Sequence, residues 1–148
     1  MNRAALLAML ERDEGLRLDL YDDATGKQLR RGDVLQGHPT IGIGRALDVN
    51  PLTRAEAEYL CENDIARVEM LLDRNMPWWR TDLSDARQMV VVSMAYNLGY
   101  NKFSQFLKFR AALGRGDWED AAAEMLASAW AGQVGDRAKR LAKLMVDG

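Results

Sequence analysis

Cysteine and histidine each occur once in the 148 residues, as Cys61 and His38. One thiol cannot close an internal disulfide, and these two ligands cannot complete a four-ligand zinc site. A Ser-His-Asp or Cys-His nucleophilic site would have to run through His38 alone, which disfavours that chemistry. No apolar run reaches the roughly 18 residues that a membrane-spanning helix needs. Charge of one sign is also scarce: 20 basic and 22 acidic residues leave a net −2. A dedicated duplex-DNA binder carries a strong basic excess. These absences predict no metal site, no nucleic-acid partner and no stable membrane insertion.

What is present is ordinary globular composition, 48% hydrophobic and 28% charged. The length suits a single domain, residues 1–148, that buries roughly 70% of the surface its unfolded chain exposes. Met1 to Leu10 superficially resembles a signal peptide. Glu11, Arg12 and Asp13 follow at once and no convincing cleavage site is present, so a mature helix in a reducing cytoplasm is expected. The acidic excess lies in residues 1–100, and the C-terminal 48 residues are slightly basic.

Apolar residues 5, 6, 9 and 10 predict a short amphipathic helix ending at Gly15. Leu16, Leu18 and Leu20 alternate with polar residues, which predicts a strand. Asp22 to Gly26 has turn composition, and residues 27–39 form a polar loop with Lys27, Arg30 and Arg31. Thr40 to Gly44 alternates again, and its two glycines suggest close approach by a neighbouring group such as a ligand. Beyond this point the pattern is helical. Thr53-Arg54-Ala55-Glu56 is a capping box, and Cys61 falls in the apolar stripe of the helix it opens. Pro77-Trp78-Trp79 interrupts that helix. Residues 89–95 are apolar nearly all round, as a buried central helix should be. Further helices are expected over about 103–113, 117–126 and 136–146, with Gly132 to Gly135 as a joint. The fold class is α+β, mainly α. A small β-hairpin lobe (about 13–60) and a larger helical lobe (1–12 plus 61–148) would enclose a cleft, where ligand sites concentrate.

Without His, Cys or metal chemistry, carboxylates lead. Glu14 falls at a helix C-terminus, where the macrodipole disfavours negative charge and favours the protonated acid. Asp22 and Asp23 lie in a polar turn, where solvent keeps a carboxylate ionised. Two carboxyl groups facing each other across a sugar, one protonated and one bare, hydrolyse glycosidic bonds. Acidic residues at helix ends and turns also occur for purely local reasons, so spacing alone does not select this chemistry.

The run Asp13-Glu14-Gly15-Leu16-Arg17-Leu18, then Tyr21 and Asp23, then Thr40-Ile41-Gly42-Ile43-Gly44, resembles the phage-type lysozymes, the endolysins of glycoside hydrolase family 24. Met94 to Gly99, Trp118 to Ala122, Trp130 and Arg137 to Arg140 follow in family order. The resemblance implies a lysozyme-like fold with Glu14 as general acid. Asp23 would be the second carboxylate, Thr40 a water-positioning residue, and Arg137 a partner that steadies Glu14. Tyr96 and Asn97 would line the sugar-binding cleft, and Trp130 would pack beneath it. Two features depart from the family pattern. The Asp23–Thr40 connection is longer and basic, and Arg45 stands where many members have histidine. Arg45 would replace a structural ion pair; the loop would meet anionic wall groups or solvent.

The function implied is an endo-acting muramidase that cleaves the β-1,4 bond between N-acetylmuramic acid and N-acetylglucosamine without a cofactor. Alternatives are a lytic transglycosylase, which needs one glutamate and no water, and a non-catalytic wall-binding protein on the same fold. The endolysin resemblance further implies a monomer that waits in the host cytoplasm. A separate pore-former would release it to act on peptidoglycan in the periplasm.

Overall fold

Helix α1, Arg3–Glu14, starts where the Asn2 side chain accepts the Ala5 N–H at 3.1 Å. It ends at Gly15, which adopts φ +78° and donates its N–H to the Glu11 carbonyl. That positive φ suits glycine, and the chain turns directly into a strand. The computed structural model describes residues 1–148. They form two compact units, Met1–Glu58 and Tyr59–Gly148, and α1 belongs to the first. The sequence pattern instead assigns residues 1–12 to the larger lobe.

Strand β1, Arg17–Asp22, pairs antiparallel with β2, Pro39–Gly42, and β2 pairs antiparallel with β3, Arg45–Ala46. The register places Tyr21 opposite Thr40 and Asp22 opposite Pro39, with an irregularity between Arg17 and Tyr21. The expected strand over Thr40 to Gly44 is therefore two strands around a turn. Gly42 (φ +69°) and Gly44 (φ +64°) supply the backbone that this reversal needs. The connection from Asp22 to Pro39 is partly built onto the sheet. Gly26 donates to the Asp22 carbonyl, Asp22 to Lys27 and Leu29 to Leu20, so the basic segment starts by folding back antiparallel against β1.

Helix α2, Arg54–Asn75, begins with the expected capping box. Thr53 N–H reaches Glu56 Oε2 at 2.8 Å, and Glu56 N–H reaches Thr53 Oγ1 at 3.3 Å. Glu56 also accepts from the Arg45 guanidinium, which in addition donates to the Asn50 and Pro51 carbonyls. Arg45 is thus a structural ion-pair residue, as expected. Its guanidinium, followed by the Thr53 bonds, holds the Glu56 carboxyl down at about 2.

The second unit is helical: α3 Trp79–Asp82, α4 Asp85–Leu98, α5 Tyr100–Phe103, α6 Leu107–Arg115, α7 Trp118–Leu126, α8 Ala129–Val134 and α9 Asp136–Asp147. Ser84 caps α4, and Val90, Val91, Met94 and Ala95 on it are fully buried, so it is the expected central helix. Around it pack Leu72, Met76, Trp79, Phe109, Met125, Trp130 and Met145. Phe103 meets Phe109 edge to face, with ring centroids 6.2 Å apart. Three expectations need correction. The helix over 103–113 is two pieces, α5 and α6. Residues 132–135 are not simply a joint, because the Ser128 side chain caps α8 and burial of Trp130 holds that helix despite Gly132. Cys61 is exposed and not part of an apolar core. No helix is long and apolar enough to cross a membrane.

Candidate active site

Helical geometry puts Glu14 in the last turn of α1, and the β2–β3 turn comes close to it. A β-carbon placed on Gly44 would lie 3.0 Å from Glu14 Oε2 and 3.4 Å from its Cβ. The neighbour that the bare Gly44 backbone accommodates is thus the glutamate side chain itself. Sequence reasoning had suggested close approach there and left the neighbour open.

The two turn aspartates divide cleanly. Asp22 is 2% exposed, and its carboxylate accepts four backbone N–H groups: Gln36 at 2.6 Å, Ala24 at 2.9 Å, Gly37 at 3.1 Å and Thr25 at 3.3 Å. These bonds, the one from Gln36 foremost, hold its carboxyl below the ordinary aspartate value against the opposing effect of burial. Its lone pairs are committed to shaping the loop. Asp23 is exposed, and its Oδ1 accepts the His38 N–H at 2.6 Å. Its own N–H returns to the His38 carbonyl at 3.1 Å. Only Oδ1 is so engaged. A charged acceptor held by a backbone donor is placed without being neutralised.

Thr40 lies on β2, 3% exposed, and its hydroxyl donates to the same His38 carbonyl at 3.2 Å. Strand β2 and its flanking residues therefore touch all three expected catalytic residues. His38 holds Asp23, Thr40 is on the strand, and Gly44 abuts Glu14. Sequence reasoning missed His38 as the hub. His38 is exposed, and backbone hydrogen bonding of this kind leaves no mark in composition.

The remaining expected residues belong to the unit Tyr59–Gly148. A groove of about 530 Å³ there is lined by Cys61, Ile65, Met89, Val92, Tyr96 and Arg137, among others. Arg137 donates to Ser93 Oγ at 3.0 Å. Tyr96 sits beside the Cys61 thiol, which raises the phenol above its ordinary value. Asn97 accepts the Trp130 indole N–H through its side-chain oxygen at 2.8 Å, leaving its amide NH2 free of that bond. Trp130 is buried, as expected. Glu124 lines a separate groove of about 410 Å³ with Gln105, Lys108 and Ser128.

A mainly helical α+β chain with a small three-stranded antiparallel sheet has the architecture of the lysozyme-like glycoside hydrolases. A family model described as phage lysozyme matches residues 11–145, and the chain belongs to that family. Members of that family act on peptidoglycan. The chain is 29% identical over 172 residues to the pre-baseplate central spike protein Gp5 of Enterobacteria phage T4. That match takes in 97% of this chain but only 28% of the spike protein's length. It is 26% identical over 158 residues to probable T4-type lysozyme 1 of Dictyostelium discoideum, covering 95% of this chain and 92% of that protein. Probable T4-type lysozyme 2 of the same organism is 23% identical over 173 residues, covering 98% and 95%.

Proposed function

We propose that this chain is an endo-acting muramidase that hydrolyses the β-1,4 bond between N-acetylmuramic acid and N-acetylglucosamine in peptidoglycan. Glu14 is the general acid that protonates the glycosidic oxygen as the bond breaks. Asp23, ionised, supports the attacking water or the developing oxocarbenium charge, and Thr40 helps to place that water. For Arg137, Tyr96 and Asn97, which belong to the unit Tyr59–Gly148, the family resemblance supports parts in the same reaction. No cofactor takes part, and the chain acts as a monomer in a single catalytic domain.

The observation that carries this reading is the convergence on one short strand. His38 and Gly44 flank β2 and Thr40 lies on it, and together they adjoin Asp23 and Glu14, whereas the neighbouring Asp22 is buried with its carboxylate accepting four backbone N–H groups. The wider role proposed is host lysis. The protein would be held in the host cytoplasm, freed by a separate pore-former, and active on the wall from the periplasm.

Digestion of purified peptidoglycan with mass analysis of the new ends tests the chemistry. Glu14→Gln is expected to lower wall hydrolysis by at least about a hundredfold, the usual worth of a positioned general acid. Wild-type activity in that variant overturns the assignment. New reducing ends that carry one added water support the hydrolase. Anhydro-muramic ends would identify a transglycosylase, and wall binding without solubilisation a non-catalytic protein.

A further inference from the structure

We infer that His38 is a positioning residue for this reaction, its ring anchoring to Asp48 the backbone that holds Asp23 and Thr40. The inference rests on the muramidase reading above and adds a residue to its machinery. Three bonds meet at the His38 backbone. Its N–H donates to Asp23 Oδ1 at 2.6 Å, and its carbonyl accepts Asp23 N–H at 3.1 Å and Thr40 Oγ1 at 3.2 Å. The N–H belongs to the Gly37–His38 peptide and the carbonyl to the His38–Pro39 peptide, so a small change in the His38 backbone dihedrals would disturb the seats of both side chains. Gly37 completes the cradle: a β-carbon there would lie 2.1 Å from Asp23 Oδ1, so the bare backbone closes against the carboxylate.

The imidazole is what ties the backbone of this residue from outside. His38 Nδ1 lies 2.8 Å from Asp48 Oδ2, two residues beyond β3. That segment is itself tied to β2 by Leu47 N–H donating to the Pro39 carbonyl at 2.9 Å. The ring therefore bridges the start of β2 to the chain leaving β3. Both partners are about half exposed, 51% and 46%, so water weakens the pair and its contribution to overall stability is small. A pair that is weak energetically can still select one orientation of a peptide. The acidic groups facing the ring are Asp48 in contact, then Asp23, then Asp22. All three favour the imidazolium, so the ring stays charged to higher pH than an ordinary histidine.

The test exploits the single histidine. Its ring Cε1–H resonance, followed by NMR against pH, reports His38 without assignment ambiguity. Titration is expected to shift to lower pH in Asp48→Asn and, by a smaller step, in Asp23→Asn; identical titrations in wild type and Asp23→Asn overturn the coupling. In the activity arm, His38→Ala is expected to lower kcat about tenfold with KM within about twofold, as a misplaced catalytic group does. The deficit should be largest while the wild-type ring is charged and shrink as pH rises through its titration. Asp48→Asn, which leaves the His38 backbone untouched, should show the same deficit, and the double variant no more than either alone. A deficit constant across pH, or one that follows a fall in melting temperature, overturns the positioning role. The two readings fail separately. Full activity in Glu14→Gln removes the muramidase reading, whereas an inactive Glu14→Gln with unaltered His38→Ala removes only this inference.

Discussion

Gly42 and Gly44 offer a paired perturbation that separates backbone strain from damage to the site. Both adopt the left-handed region, with φ +69° and +64°, in the same β2–β3 turn. Alanine at either position incurs the steric penalty of a β-carbon in that region, about 1–2 kcal/mol. For a chain of this length that corresponds to a fall in melting temperature of roughly 2–8 °C. The surroundings differ. A β-carbon at Gly42 meets nothing within 4 Å, whereas at Gly44 it meets Glu14 Oε2 at 3.0 Å and Cβ at 3.4 Å. Gly44→Ala must therefore displace the glutamate side chain, while Gly42→Ala need not. If Glu14 is the general acid, Gly44→Ala should lose kcat by several-fold, up to about tenfold, beyond any loss in Gly42→Ala, because the carboxylate must shift by a fraction of the roughly 1 Å that costs about a hundredfold. Peptidoglycan hydrolysis, measured well below both melting temperatures, reads the difference. Equal kcat values in two equally destabilised variants would refute the reasoning, since the displaced group would then have no part in the reaction.

Other outcomes follow from separate features. The Arg45–Glu56 pair holds the Glu56 carboxyl at about 2, below its ordinary 4.5, so its stabilising contribution is present above about 4.5 and lost as pH falls toward 2. Arg45→Met should remove that contribution, so the wild-type advantage in melting temperature should shrink on acidification; a pH-independent advantage would count against the pair. Phe103→Ala removes a fully buried ring packed edge to face on Phe109. It should cost about 3–5 kcal/mol by calorimetry or denaturant titration, and a loss below about 1 kcal/mol would contradict the packing. Cys61 is exposed, so a thiol reagent should label it at a rate near that of the unfolded chain; protection in the native protein would show it is covered.

The sequence by itself determined the parts governed by local chemistry. The Thr53–Glu56 capping box, the Gly15 and Gly99 helix ends, the Asp22–Gly26 turn and the apolar run of the central helix all depend on residues within a few positions of one another. The proposal of Glu14, Asp23 and Thr40 likewise came from short local motifs. Local signals failed where a distant partner overrode them. Gly132 reads as a breaker, yet the cap from Ser128 and burial of Trp130 sustain a helix through it. Cys61 sits in an apolar stripe, yet no core covers it. Which of two adjacent aspartates is buried and which is exposed is a tertiary matter. The loop returning at Gln36 and Gly37 donates two backbone bonds to the buried Asp22, while His38 holds the exposed Asp23 through one oxygen. Hydrogen bonds between residues some fifteen positions apart, made by backbone groups that every residue type possesses, leave no trace in the identity of the side chains, and so this choice was made by the fold.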